Sequence, residues 1–165
     1  MRHIISLLVS NEAGALARVS SLFSTRGYNI ESLNVAPTQD PEISRLTLVT
    51  RGSDEVIEQI NQQLLKLVDI VNTADMTLDN HIERELLLVK TRLGTERSPE
   101  MEDAVQDFGA RVLDDNPETY TVELTGISEY LDEFVKRVGS TSELISVVRS
   151  GAMAVSRGKA LLGSA

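Results

Sequence analysis

The sequence predicts an α+β protein of two βαββαβ units in tandem, each an antiparallel sheet with both helices on one face. Three observations predict it. The chain has 165 residues, enough for one ordinary domain or two small ones. Strand-like and helix-like segments follow the order β-α-β-β-α-β over residues 1–76, and the same order recurs over residues 77–165. The joining segment, Met76–Glu83, is polar.

In the first half, His3–Ser10 is a continuous apolar, β-rich run, as a central strand buried on both faces requires. Asn11–Gly14 is a turn. Leu16, Val19, Leu22 and Phe23 then recur at helical spacing, and Gly27 takes the left-handed position past the helix end. Tyr28–Pro37 is the second strand, Thr38–Glu42 a hairpin loop, and Ile43–Thr50 an alternating third strand. Ser53 reads as a hydroxyl cap before Asp54 and Glu55, which suit the positive end of a helix. The stripe Val56, Ile60, Leu64, Leu67 follows, and Leu67–Ala74 closes the half as a strand.

The second half repeats the plan. Arg84–Arg92 is a strand, and Ser98-Pro99-Glu100 opens a helix with proline where its missing N–H costs little. Met101, Ala104, Val105 and Phe108 form that helix's inner face. Strands Arg111–Asp114 and Thr119–Thr125 flank the Asp115-Asn116-Pro117 turn. Leu131, Phe134, Val135 and Val138 mark the last helix, and Glu143–Arg149 the last strand. Each half makes the split-βαβ, ferredoxin-like sandwich. Units of this size bury a modest core, and their helix-free faces need covering. Association is therefore expected, most simply as a homodimer joined sheet edge to sheet edge. The tail Ser150–Gly158 is expected to pack on the second domain or to meet a partner.

Composition excludes several functions. Sixteen Lys+Arg against 25 Asp+Glu give a net charge of −9, and the basic residues are scattered, which disfavours a nucleic-acid partner. With no cysteine and two histidines, His3 and His81, thiolate metal sites, cysteine nucleophiles and histidine-based catalysis are poorly supplied. No apolar run approaches the length of a membrane span, and with a strand-like run starting at His3 no leader peptide is expected. A cytoplasmic protein is expected.

The informative segment is Asn11–Leu16, between the first strand and the first helix. A helix's first turn carries unpaired N–H groups and partial positive charge, so a carboxylate is favoured there. Gly14 permits close approach to the backbone, and Asn11 can both donate and accept, as an amino-acid ligand demands. Asn29, at the start of the second strand, is placed to reach into a cleft. Asn11, Gly14 and Asn29 are equally ordinary turn residues on spacing alone.

Asn11–Val19, Leu22–Ser24, Arg26–Leu33 and Val35–Thr38 resemble the start of the small regulatory subunits of acetolactate synthase (acetohydroxyacid synthase). The likeness continues through Leu64–Asp69, Glu83–Leu86 and Leu88–Lys90 to Arg149–Gly151 and Ser156–Gly158. The first half resembles an ACT domain, an amino-acid-sensing module. The resemblance implies a chain with no catalytic site and no cofactor of its own. It implies a catalytic large subunit that carries thiamine diphosphate, Mg²⁺ and FAD, gains activity from this chain and is inhibited by valine through it. Carried onto this sequence, Asn11, Gly14, Ala15 and Leu16 of one protomer would face Asn29 and Ile30 of the other.

Other groupings carry less. Asp114-Asp115 and Asp132-Glu133 read as turn and helix-surface carboxylates, since adjacent helical residues diverge. Ser98 and Ser128 read as caps. The second half's own strand-to-helix loop, Leu93–Ser98, lacks the Asn-x-x-Gly pattern, so no effector site is assigned to it. Two alternatives remain. One is an ACT-type sensor serving a different enzyme. The other is an acylphosphatase-like hydrolase, disfavoured because the first loop holds Glu12 and no arginine before Arg18.

Overall fold

A computed structural model describes residues 1–77, 79–92, 99–158 and 162. The chain divides into two compact units, Met1–Glu83 with Gly151–Ala165, and Arg84–Ser150. The tail thus groups with the first unit rather than with the second domain, one of the two placements expected of it. The last strand-like residues of the supposed linker also belong to a strand.

The first unit runs β1 (Arg2–Ser10), α1 (Ala15–Thr25), β2 (Ile30–Pro37), β3 (Ile43–Arg51), α2 (Asp54–Leu64) and β4 (Ile70–Asp75). Its sheet has the order β2-β3-β1-β4, with β1 antiparallel to both neighbours. Seven consecutive β1 residues, His3–Val9, are buried. Ile5, Leu7 and Val9 join Leu46 and Leu48 of β3 under Val19 and Phe23 of α1 and Ile57, Ile60 and Leu64 of α2. The α2 stripe therefore includes Ile57, which the spacing had passed over, and ends at Leu64. The chain turns through Leu65–Asp69 before β4, so Leu67 starts no strand.

The helix-free face is covered in part by the chain's own tail. Ile4 of β1 and Val49 of β3 pack with Met76, Ala152 and Ala154. Ala154 lies in a short strand, β9 (Met153–Ser156). Gly151 enters this face at φ +79, and a Cβ there would lie 3.2 Å from that of Ser32. A bulkier residue could not take this path without strain.

The second unit runs β5 (His81–Arg92, its first three residues lying in the first unit), α3 (Pro99–Asp107), β6 (Arg111–Asp115), β7 (Thr119–Gly126), α4 (Ser128–Thr141) and β8 (Glu143–Arg149). The strand order is β6-β7-β5-β8. Leu87, Val89, Val122 and Leu124 pack under Met101, Ala104, Leu131, Phe134 and Val138. Each unit is the α+β, ferredoxin-like sandwich of antiparallel strands that the sequence predicts.

Capping departs from expectation. Ser53 precedes α2 but makes no side-chain cap bond. Ser128 is the first residue of α4, not its cap, and its hydroxyl donates to Glu85 Oε2 at 3.2 Å. Ser98 lies outside the described residues. His3 is fully buried, with Nδ1 3.0 Å from Asp75 Oδ2 and Nε2 lacking a hydrogen-bond partner among the described residues.

Phe23→Ala removes a fully buried ring from the first core and should destabilise the first unit by about 3–5 kcal/mol. Ser24→Ala, on the exposed side of the same helix, should change stability by less than about 0.5 kcal/mol. Urea unfolding of the two variants against the parent chain checks both.

Candidate functional site

The turn between β1 and α1 is shaped by backbone geometry. Gly14, the residue before α1, sits at φ 91°, ψ −14°, a left-handed conformation open to glycine and strained for other residues. The Asn11 N–H donates to Glu42 C=O at 2.7 Å, and its side-chain amide Nδ2 donates to Pro41 C=O at 2.9 Å. Both tie the turn to the β2–β3 hairpin and leave the side-chain oxygen of Asn11 as its outward acceptor. The Ala15 N–H reaches Glu12 C=O at 3.3 Å, and Arg18 N–H donates to Gly14 C=O at 3.0 Å. The N–H groups between them, at Leu16 and Ala17, belong to the helix end that has no intrahelical acceptor. Asn11, Gly14 and Leu16 are exposed, and Ala15 is buried. The turn can therefore offer amide donors and an amide oxygen to a ligand in solvent.

An ion pair braces this turn. Arg18, one helical turn after Gly14, donates through Nε and Nη2 to Asp69, the second bond at 2.6 Å. Asp69 is nearly buried, and its backbone C=O also accepts the Ser10 N–H at 2.8 Å. Asp69 thus fastens the end of β1 and the first turn of α1 at once. The hydrogen bond from Arg18 holds the Asp69 carboxyl below the ordinary carboxylate range, burial opposing it. Asp69 in turn raises Arg18. The Arg18 guanidinium also lies beside Gly14: a Cβ on that residue would come within 2.9 Å of Arg18 Nη1. The sequence reading missed this pair. The four-residue step from Gly14 to Arg18 is a local signal, but nothing local connects Arg18 to Asp69.

Asn29 and Ile30 lie past the other end of α1. Asn29 is exposed and precedes β2, and its C=O accepts the Thr50 hydroxyl at 2.7 Å. Ile30 pairs with Thr50 at the start of β2 and packs against the first core. An 11-residue helix separates the two groups, and at 1.5 Å per residue it spans about 16 Å. One chain therefore does not bring Asn11, Gly14, Ala15 and Leu16 together with Asn29 and Ile30.

Several other carboxylates have structural partners. Asp132 and Glu85 both receive Arg149, Glu85 through Nη2 at 2.7 Å. Asp114 accepts the Asn116 side-chain amide in the β6–β7 turn. His81 Nδ1 lies 2.9 Å from Asp79 C=O. Among the described residues, no group of three or more His, Asp or Glu is placed to hold a metal ion, and no helix is long and apolar enough to cross a membrane. Leu93–Ser98 lies outside the described residues.

Comparison with known proteins follows the two units. Residues 5–72 match the family described as AHAS small subunit-like ACT domain, and residues 84–158 match the family described as small subunit of acetolactate synthase. The chain is 44% identical over 162 residues to the acetolactate synthase isozyme 3 small subunit of Salmonella typhimurium, covering 98% of this chain and 99% of that one. It is 40% identical to the acetolactate synthase small subunit of Mycolicibacterium smegmatis, over 99% of this chain and 95% of that one. The crystal structure of the Thermotoga maritima acetolactate synthase small subunit superposes with a TM-score of 0.87 at 31% identity, covering 97% of this chain and 99% of that one. A likeness of this extent spans both units and the β1–α1 turn, and the chain belongs to the acetolactate synthase small-subunit family.

Proposed function

We propose that this chain is a valine-responsive regulatory subunit that binds an acetolactate synthase catalytic subunit, raises its activity and transmits feedback inhibition. Thiamine diphosphate, Mg²⁺ and FAD belong in this reading to the catalytic partner. The observation that carries the ligand assignment is the open first turn of α1 behind left-handed Gly14. The effector carboxylate would take the open Leu16 amide and that of Ala15, displacing the latter's long bond to Glu12 C=O, beside the Arg18 guanidinium that Asp69 already holds. The ammonium would meet oxygens at Asn11 and at Asn29 of a second copy. An isopropyl group between Leu16 and Ile30 would gain about 1.5–3 kcal/mol on full burial.

A second copy is required because α1 holds the two halves of the site apart. The outer edge of β2 supports such pairing: it is an edge strand, and its residues are half-buried or exposed. A site shared between copies couples ligand binding to the geometry of the pair. Binding can then bias a distant centre, provided one arrangement of the pair binds better.

Titration calorimetry of the full chain with valine should show millimolar or tighter binding. Gly14→Asp should abolish it, because the change strains the backbone and sets a carboxylate where the effector's would lie. Asn29→Ala, on an exposed side chain, should keep the melting temperature and weaken valine by about tenfold, one charge-assisted hydrogen bond. Unchanged valine binding in both variants would remove the site assignment.

The brace makes a separate prediction. The folded-state value of Asp69 is depressed, so its contribution is fully present above the ordinary carboxylate range and is lost as pH falls through the lower folded value. The melting temperature of Asp69→Asn should lie below that of the parent chain at neutral pH. The gap should persist down to about pH 4 and close below it. A gap that closes between pH 7 and pH 5 would count against this role.

A further inference from the structure

On the helix-free face of the first sheet, opposite α1 and α2, the tail packs on Ile4 and Val49. Two cross-strand rows beyond Ile4 and Val49 are of different character. Ser6, Thr47 and Asn34 stand side by side on β1, β3 and β2, and Leu8, Arg45 and Ala36 form the next row. Ser6 and Thr47 are buried, and Asn34 and Arg45 are half-buried. Above them lies a groove of about 700 Å³, its walls including Ile43, Val71, Met153 and Leu162. That volume is within the range of small-molecule sites, and the mix of apolar walls and a few convergent polar groups is typical of them.

Arg45 is the feature the fold does not use. In a chain with 25 Asp+Glu, its guanidinium meets one partner among the described residues, the Ser6 hydroxyl at 3.4 Å. A half-buried guanidinium presents a planar fork of donors suited to a carboxylate or phosphate. The Asn34 amide, two residues along the β2 face from Ala36, adds a neutral donor on the same floor. Asp40 also borders the groove, with one oxygen engaged by the Glu42 N–H at 2.9 Å. Its negative charge disfavours a doubly charged phosphate and leaves a monocarboxylate as the better fit.

We propose that this groove binds a small aliphatic monocarboxylate, with its carboxylate on Arg45 and Asn34 and its carbon body against Leu8, Ile43 and Val71. The site is separate from the β1–α1 turn, lies within one copy of the chain and does not rest on the valine reading.

Titration calorimetry of the full chain with isovalerate tests this, with inorganic phosphate as the anion control. Isovalerate should bind in the millimolar range or tighter, and phosphate at least tenfold more weakly. Arg45→Met should lower isovalerate affinity at least tenfold, and Gly14→Asp should leave it within about twofold. Asn34→Asp, which places a like charge on the floor, should also lose binding, and it decides the matter if Arg45→Met fails to give a parent-like thermal transition. Binding that survives both floor variants, binding lost in Gly14→Asp but kept in Arg45→Met, equal binding of phosphate, or no binding at all would each overturn the proposal. Absence of carboxylate binding together with loss of catalytic-subunit activation in Arg45→Met would overturn it too and would assign the groove to an acidic segment of the partner.

Discussion

The first unit depends on burying β1 from both sides. A middle strand with seven consecutive buried residues must have a layer on each face, and the βαββαβ chain supplies helices for only one. Its own tail supplies part of the other, through Ala152 and Ala154 against Ile4 and Val49. Ala152 and Ala154 are small, so the tail can lie close to the sheet, and Gly151 provides the left-handed turn that brings it there. The continuous apolar run of β1 and the composition of the tail thus solve one problem, although about 140 residues separate them.

The same strand ends at the β1–α1 turn. Ser10 donates to the backbone of Asp69, Asp69 holds Arg18, and Arg18 lies over Gly14. The turn is consequently fixed from the strand side, from the helix side and, through Asn11, from the β2–β3 hairpin. A rigid turn keeps the first-turn amides of α1 aimed outward, and pre-ordering of this kind lowers the cost of binding a small ligand. The brace is a charge pair at a partly exposed position, so it contributes more to the geometry of the turn than to the stability of the fold.

Much of the fold was legible because it rests on local periodicity. Val19 and Phe23 recur at helical spacing and do face the core, Gly27 does take positive φ, and the unbroken run His3–Ser10 does form the central strand. The candidate turn was legible for the same reason: Asn11 through Leu16 is one contiguous segment whose residue types suit a helix opening. Caps were less so. Ser53 holds the cap position but makes no side-chain cap bond, and Ser128 lies one residue inside its helix with its hydroxyl on Glu85, an acceptor 43 positions away along the chain.

By itself the sequence determined the order of elements as far as β8, the two-unit plan, the acidic net charge and the glycine that opens α1, since each follows from spacing, backbone freedom or charge within a short window. Tertiary structure decided what lies across a sheet or on its far side. It joined Arg18 to Asp69, folded the tail under the first sheet, set Asn29 a helix length away from Asn11, and lined Arg45 up with Ser6, Thr47 and Asn34. These are cross-strand and loop-closing contacts between residues distant in the chain, and strand register fixes them only once the sheet has formed.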